Sequence, residues 1–250
     1  MCQNCGCSIP LPGSLPVVAD VIRDILSAND LMAAHNRRHF DQHGVLAINL
    51  MSSPGAGKTS LLEATICALK GKYRIAVIEG DLETENDAER IRAHGIPAHQ
   101  ITTGTACHLD ANLVHQALHA LPLDGVDLLF IENVGNLVCP AGFDLGQHRN
   151  VTLLSVTEGH DKPSKYPVIF RVSDLVLLSK TDLLSVLDDF DPDQAAAALR
   201  DLGGDTPVIR TAVRRSPSIG AWLQWLESEM KARRAPYSFV ERASHALLGA

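Results

Sequence analysis

Residues 45–69 leave few folds open to this chain. Val45 to Met51 is an unbroken apolar run, the pattern of a strand buried on both faces. Ser52-Ser53-Pro54-Gly55-Ala56-Gly57-Lys58-Thr59 follows, and then Leu61, Leu62, Ala64, Thr65 and Leu69 recur at helical spacing. Strand, glycine-containing turn and helix, with Gly-Lys-Thr at the last junction, is the context a phosphate-binding loop requires. Gly55 and Gly57 let backbone N–H groups turn inward around phosphate oxygens, and the helix beginning near Lys58 adds its free amides and positive dipole end. Gly55, Ala56, Gly57, Lys58, Thr59 and Ser60 are therefore candidate phosphate contacts. Lys58 can reach the β- and γ-phosphates, and the Thr59 hydroxyl can ligate Mg2+. The usual pattern has a further glycine five positions before Gly57, where this chain has Ser52.

Beyond this unit the chain alternates. Apolar strands are expected at 45–51, 74–79, 127–131, 151–157, 174–178 and 207–210, with helices at about 59–70, 84–94, 105–120, 190–202 and 217–233. Such alternation gives an α/β fold with a mostly parallel sheet flanked by helices. The chain of 250 residues is 46% hydrophobic, enough for one large core. Ahead of the alternating region, 45–235, lie a Cys-rich start and flexible tether over 1–16 and a helical segment over 17–44, one long helix or two short ones ended by Gly44. A tail, 236–250, follows. The formal net charge of −7 argues against a general nucleic-acid or membrane-surface binder, and no apolar run reaches membrane-spanning length. No secretory signal is read at the N-terminus, so a cytoplasmic location is expected. There, six cysteines favour metal or thiol chemistry over disulfides.

Ligands of parallel sheets bind at the carboxyl ends of the strands. The strand at 74–79 runs into Gly80-Asp81, which makes Asp81 a candidate Mg2+ ligand, with Asp87 a weaker one. The strand at 127–131 ends in Glu132-Asn133-Val134-Gly135. Glu132 is placed to order Mg2+ and its waters, and the Gly135 amide to contact the γ-phosphate. The strand at 174–178 ends in Ser179-Lys180-Thr181-Asp182, where guanine-specific NTPases carry Asn-Lys-x-Asp. Asp182 can accept from guanine N1 and its amine, and the Lys180 stem can cover the base. Ser179 replaces the Asn, so a stabilising contact is expected to be weaker. Thr211-Ala212 can supply a backbone contact to guanine O6. Asp182 would discriminate against ATP.

The cysteines form two groups. Cys2, Cys5 and Cys7 place three thiols within six residues, beside the α-amine that removal of Met1 would free. Three thiolates and a nitrogen suit planar Ni2+, with tetrahedral Zn2+ the competitor. Cys107-His108, read as opening the helix at 105–120, and Cys139, a few residues after Glu132, both point to the ligand edge. They can form a metal site or remain incidental. Cys67 is expected in the core. His35, His39 and His43 share a helix face at i, i+4 and i+8, a geometry that can bind metal but reads more readily as a solvated face beside Arg37 and Arg38.

Taken together, these residues resemble the HypB family of GTPases, which help insert nickel into [NiFe]-hydrogenase. The likeness runs from Cys2 to about Glu227. It is carried by the Cys2-x-x-Cys5-Gly6-Cys7 start, Asn36-Arg37, Ser52 to Thr59, Gly104 to Asp110, Ile131 to Pro140, and Lys180-Thr181-Asp182. The resemblance implies a phosphate-loop NTPase of the SIMIBI type that hydrolyses GTP with Mg2+. It implies an N-terminal nickel motif at Cys2, Cys5 and Cys7, and a second site for Ni2+ or Zn2+ at Cys107, His108 and Cys139. It also implies a GTP-dependent homodimer, a HypA-like nickel chaperone as partner, and direct or indirect contact with the hydrogenase large subunit. The long His-rich segment of some relatives is missing, so bulk nickel storage is not expected. The competing readings are a urease-type nickel-insertion GTPase, a non-enzymatic metal-binding or storage protein, and an ATP-dependent small-molecule kinase.

Overall fold

A computed structural model describes residues 14–81, 85–214 and 217–234. The Cys2, Cys5 and Cys7 motif and the 236–250 tail lie outside them. A single helix, α1 (Ser14–Gln42), leads through Gly44, which has positive φ, into the central strand β1 (Leu46–Ser52). The phosphate-loop segment then enters α2 (Lys58–Leu69). The chain continues through β2 (Ile75–Asp81), α3 (Asn86–Arg92), β3 (Ala98–Thr102), α4 (Ala111–Ala120) and β4 (Leu128–Glu132). Next come β5 (Arg149–Ser155), two short helices, α5 (Lys162–Lys165) and α6 (Pro167–Arg171), and β6 (Leu175–Ser179). The last described elements are α7 (Pro192–Asp201), β7 (Val208–Arg210) and α8 (Gly220–Arg234).

The seven strands form one sheet in the order β3-β2-β4-β1-β5-β6-β7, and every pair is parallel. Every residue of β1 is buried, because helices cover both faces. Alternation along the strand sorts the side chains. Leu46, Ile48 and Leu50 join Leu61, Leu62, Ile66, Trp222 and Leu226 from α2 and α8, while Val45 and Ala47 face Phe40, Val114 and Leu118 from α1 and α4. The Trp222 indole donates to Thr65 Oγ1 at 2.9 Å, so its N–H is satisfied where α8 packs on α2. A third apolar cluster, with Leu154, Ile169, Phe170 and Phe190, packs under α5–α7.

The expected alternation holds, but the short helices α5 and α6 were not expected, and three further points are corrected. β3 was not expected. Ala98-His99-Gln100-Ile101-Thr102 is an edge strand held only by β2, so it needs no apolar run. The helix expected from residue 105 starts at Ala111. Asp110 is its N-cap and accepts from the Leu113 amide at 2.8 Å, which leaves Cys107 and His108 in the preceding loop. Cys67 is exposed. Beyond Lys58 and Thr59 in the first turn, the buried positions of α2 are Leu61, Leu62, Thr65, Ile66 and Leu69, and Cys67 lies one residue, about 100°, around from Ile66.

Candidate functional site

The carboxyl ends of β1, β2 and β4 surround a cavity of about 390 Å³ lined by Gly55, Gly57, Lys58, Thr59, Asp81, Glu132 and Gly135, among others. Gly57 has φ 101°, a left-handed conformation that L side chains rarely adopt, and it hands the chain directly into α2. Lys58 and Thr59 are therefore in the first turn, each 7% exposed. Lys58 Nζ donates to Ser52 Oγ at 3.1 Å and lies 4.0 Å from Glu132 Oε1. The serine at the position usually given to glycine thus supplies the lysine with an acceptor. Gly135 is forced by space. A Cβ there would sit 2.8 Å from Pro54 Cα and 2.9 Å from Pro54 N, so the loop after β4 lies directly against the phosphate loop.

The acids divide by environment. Thr59 Oγ1 donates to Glu132 Oε1 at 2.9 Å, while Glu132 Oε2 and Glu79 Oε1 are buried with no partner among the described residues. Burial pushes both carboxyls up. For Glu79 the nearby charge of Glu132 adds to the rise, and for Glu132 the ammonium of Lys58 and the Thr59 hydroxyl oppose it. Glu79 is thus the proton-retaining member and Glu132 the more acidic one. Asp81 lines the same cavity at the end of β2, and Asp87 lines it from α3 while pairing with Arg90 at 2.7 Å. A buried carboxylate oxygen without a donor, next to a threonine hydroxyl and a strand-end aspartate, suits a hard cation with oxygen ligands such as Mg2+. Glu158, after β5, was not singled out from sequence. It is a half-buried acid raised by burial, with the hydroxyl of Ser53 and the charges of Lys162, Lys180 and Lys58 working against the rise.

On the other side of the phosphate loop a second cavity, about 470 Å³, is lined by Gly55, Ala56, Ser60, Lys180, Asp182 and Arg214, among others. Lys180 has φ 58° and is the only described non-glycine residue with positive φ. Such strain persists only where surrounding contacts over-determine it. Here Ser179 Oγ donates to Ala56 O at 2.8 Å and Thr181 N to Thr211 O at 3.1 Å, pinning the turn on both sides. Ser179 therefore ties the turn to the phosphate loop directly. The expected backbone contact from Thr211-Ala212 is corrected. The Thr211 amide donates to Leu178 O and the Ala212 amide to Ser218 O, so neither is available.

The second cysteine group converges. Cys107 Sγ lies 3.0 Å from Cys139 Sγ and 3.8 Å from His108 Nδ1, and one ligand atom from each residue falls within 4.8 Å of the others. Burial lowers the His108 imidazole, favouring the neutral form that ligates metal, while its contact with Cys107 raises the Cys139 thiol. The His108 ring stacks on Phe143 with centroids 4.0 Å apart. Two asparagines weld this centre to the nucleotide edge. Asn133 Oδ1 accepts from Leu109 N at 3.1 Å, and Asn136 Nδ2 donates to Cys107 O at 3.3 Å. Neither bond is readable from sequence, since each crosses between loops more than 20 residues apart.

A phosphate loop at the carboxyl edge of an all-parallel sheet, with acids at the ends of the neighbouring strands, defines a nucleotide-binding domain of the phosphate-loop NTPase class and SIMIBI type. Comparison with known proteins narrows the class. Residues 46–210 match the model of the CobW/HypB/UreG nucleotide-binding domain. The hydrogenase maturation factor HypB of Azotobacter chroococcum is 53% identical over 218 residues, covering 86% of this chain and 70% of that protein. HypB of Escherichia coli K12 is 49% identical over 206 residues, covering 82% and 71%. A crystal structure of HypB from Helicobacter pylori in complex with nickel superposes with TM-score 0.78 at 39% identity, covering 85% of this chain and all of that one. The chain belongs to the HypB family of hydrogenase maturation factors.

Proposed function

We propose that the chain is a GTP-hydrolysing nickel metallochaperone that assists nickel insertion into [NiFe]-hydrogenase in the cytoplasm. Two observations support the reading. The turn bearing Asp182 and Lys180 borders a cavity continuous with the phosphate loop. Cys107, His108 and Cys139 converge on a loop that starts at the phosphate edge, and the latter is the single observation that carries the proposal. In this reading nickel is cargo. Cys2, Cys5 and Cys7 take it up, the Cys107–His108–Cys139 centre holds Ni2+ or Zn2+, and the γ-phosphate decides which arrangement of the Gly135 loop prevails. The expected partners are a second copy of the chain when GTP is bound, a HypA-like nickel chaperone, and the hydrogenase large subunit.

Hydrolysis then asks little covalent chemistry of the protein. Lys58 exchanges its Ser52 acceptor for phosphate oxygens, and the loop amides offset charge developing as water attacks in line. Thr59 and Asp81 would hold Mg2+, which neutralises phosphate charge when bound. Glu132 holds the Thr59 hydroxyl in place. Asp182 accepts from guanine and leaves adenine without a partner. Phosphate release from GTP and from ATP by the untagged full chain, with Lys58→Ala as control, tests the reading. Mg2+-dependent release from GTP, abolished in Lys58→Ala and absent with ATP, is expected. Equal rates for both nucleotides would overturn it.

A further inference from the structure

His35 and His39 of α1, and His43 just after it, do not stand alone on a solvated face. Asn36 Nδ2 donates to Ala111 O at 2.8 Å, and Ala111 N donates to Asn29 Oδ1 at 2.9 Å, so α1 is bonded to the first turn of α4. That docking lays a second histidine row beside the first. The rings of His35 and His115 are 5.0 Å apart, those of His115 and His119 also 5.0 Å, and those of His39 and His43 4.5 Å. Three of these rings, His35, His115 and His119, form a chain of contacts between the two helices, and His39, with His43 in the turn after α1, lies close enough to feel their charge. His115 and His119, like His35 and His39, are spaced i, i+4, the spacing by which one helix offers two imidazoles to one ion.

We propose that this α1–α4 patch is a third metal site, binding one Zn2+ or Ni2+ ion through imidazole nitrogens of His35, His115 and His119. Imidazole suits both ions. With metal–nitrogen bonds of about 2.0–2.1 Å, two imidazoles on one tetrahedral ion have ring centres about 5 Å apart, the spacing His115 holds to His35 on one side and to His119 on the other. The rings are packed edge to face, at 78° and 77°, and the site forms when side-chain rotation turns one nitrogen of each ring onto the ion. His35 and His119 are exposed and free to turn, while His115 is half-buried between them. Burial, followed by the neighbouring histidines, lowers His115 and His39, which keeps them neutral with a lone pair available. Three protein ligands leave the fourth position for water. The patch also has an address. His108 lies two residues before the Asp110 cap of α4, so the patch and the cysteine centre are served by one helix and the loop that leads into it.

The test uses the untagged full chain with Cys2, Cys5, Cys7, Cys107 and Cys139 replaced by Ser, titrated calorimetrically with Zn2+ alone and with Ni2+ alone. One ion per chain is expected, bound without thiolate charge-transfer absorption. The added pair His115→Gln and His119→Gln should weaken it at least tenfold while leaving the melting temperature of the metal-free protein and its GTP hydrolysis unchanged. In the chain with all cysteines intact, the same pair should lower the total zinc stoichiometry by one. Affinity should fall as pH drops from 7.5 to 5.5 and the imidazoles protonate. No bound ion in the five-serine protein, or binding undiminished by the histidine pair, would overturn the assignment. Because hydrolysis is read separately, failure here leaves the GTPase reading standing, and the reverse.

Discussion

Replacing Gly135 by alanine places a methyl carbon 2.8 Å from Pro54 Cα, 2.9 Å from Pro54 N and 3.1 Å from Pro54 Cγ. Carbon atoms prefer about 3.5–4.0 Å, so the two segments must separate by something like 1 Å. Two of the three atoms are backbone of the phosphate loop, and no rotamer change removes them. Overpacking of this kind costs roughly 1–3 kcal/mol. In a chain of this size that corresponds to about 2–12 °C in melting temperature if the folded state bears it. If the loop after β4 moves instead, it appears as about 5–150-fold weaker nucleotide binding. Melting curves and titration with a fluorescent guanine nucleotide measure both. Gly71→Ala is the control, since a Cβ there meets nothing within 4 Å. A Gly135→Ala protein that matches the control in both assays would refute the claim that these loops are locked in contact.

Asp182→Asn should weaken GTP by about 10–150-fold, the 1.5–3 kcal/mol of a hydrogen bond to a charged group, and improve binding of xanthine nucleotides, which competition titrations would show. His148 sits nearly buried, its Nδ1 accepting from the Ala47 amide, and burial lowers its pKa to about 4 against the opposing bond to Asp41. Folding therefore favours the neutral ring. That stability, about 3 kcal/mol, is complete above pH 6.5 and lost as pH falls toward 4, so His148→Asn should flatten this part of the pH dependence in urea unfolding while destabilising the protein at pH 7. Thiolate-to-nickel absorption should persist in Lys58→Ala and fall when Cys2, Cys5 and Cys7 are replaced by Ser.

Features set by neighbours in sequence were the legible ones. The β1–loop–α2 unit reads directly because apolar run, glycines and helix spacing coincide within 25 residues. The positions of Asp81, Glu132 and Asp182 follow from counting to strand ends. β3 was hidden because an edge strand can carry polar residues such as the half-buried His99 and Gln100, which face opposite sides. The start of α4 was available in Asp110, a good N-cap three residues ahead of an amide it bonds, and the apolar pattern upstream concealed it. Glu79 could have been flagged as an acid directly after the apolar run Ile75-Ala76-Val77-Ile78, still within the buried part of the strand. The Asn133 and Asn136 links, the Phe143 stack and the pairing of His35 with His115 depend on docking between distant segments, which no local pattern encodes.

Linkage between nucleotide and metal is the central claim, because Cys139 follows Gly135 by four residues and Cys107 is tied to the same loop through Asn136. The direct measurement is Ni2+ titration of the full chain with Cys2, Cys5 and Cys7 replaced by Ser, followed by thiolate-to-metal absorption, which the histidine patch does not contribute to. It is run once with GDP and once with a non-hydrolysable GTP analogue. Affinities differing by about 5–150-fold, the usual 1–3 kcal/mol of coupling, are expected, with Cys139→Ala removing the difference and leaving GTP binding intact. Identical affinities in the two nucleotide states would contradict the claim.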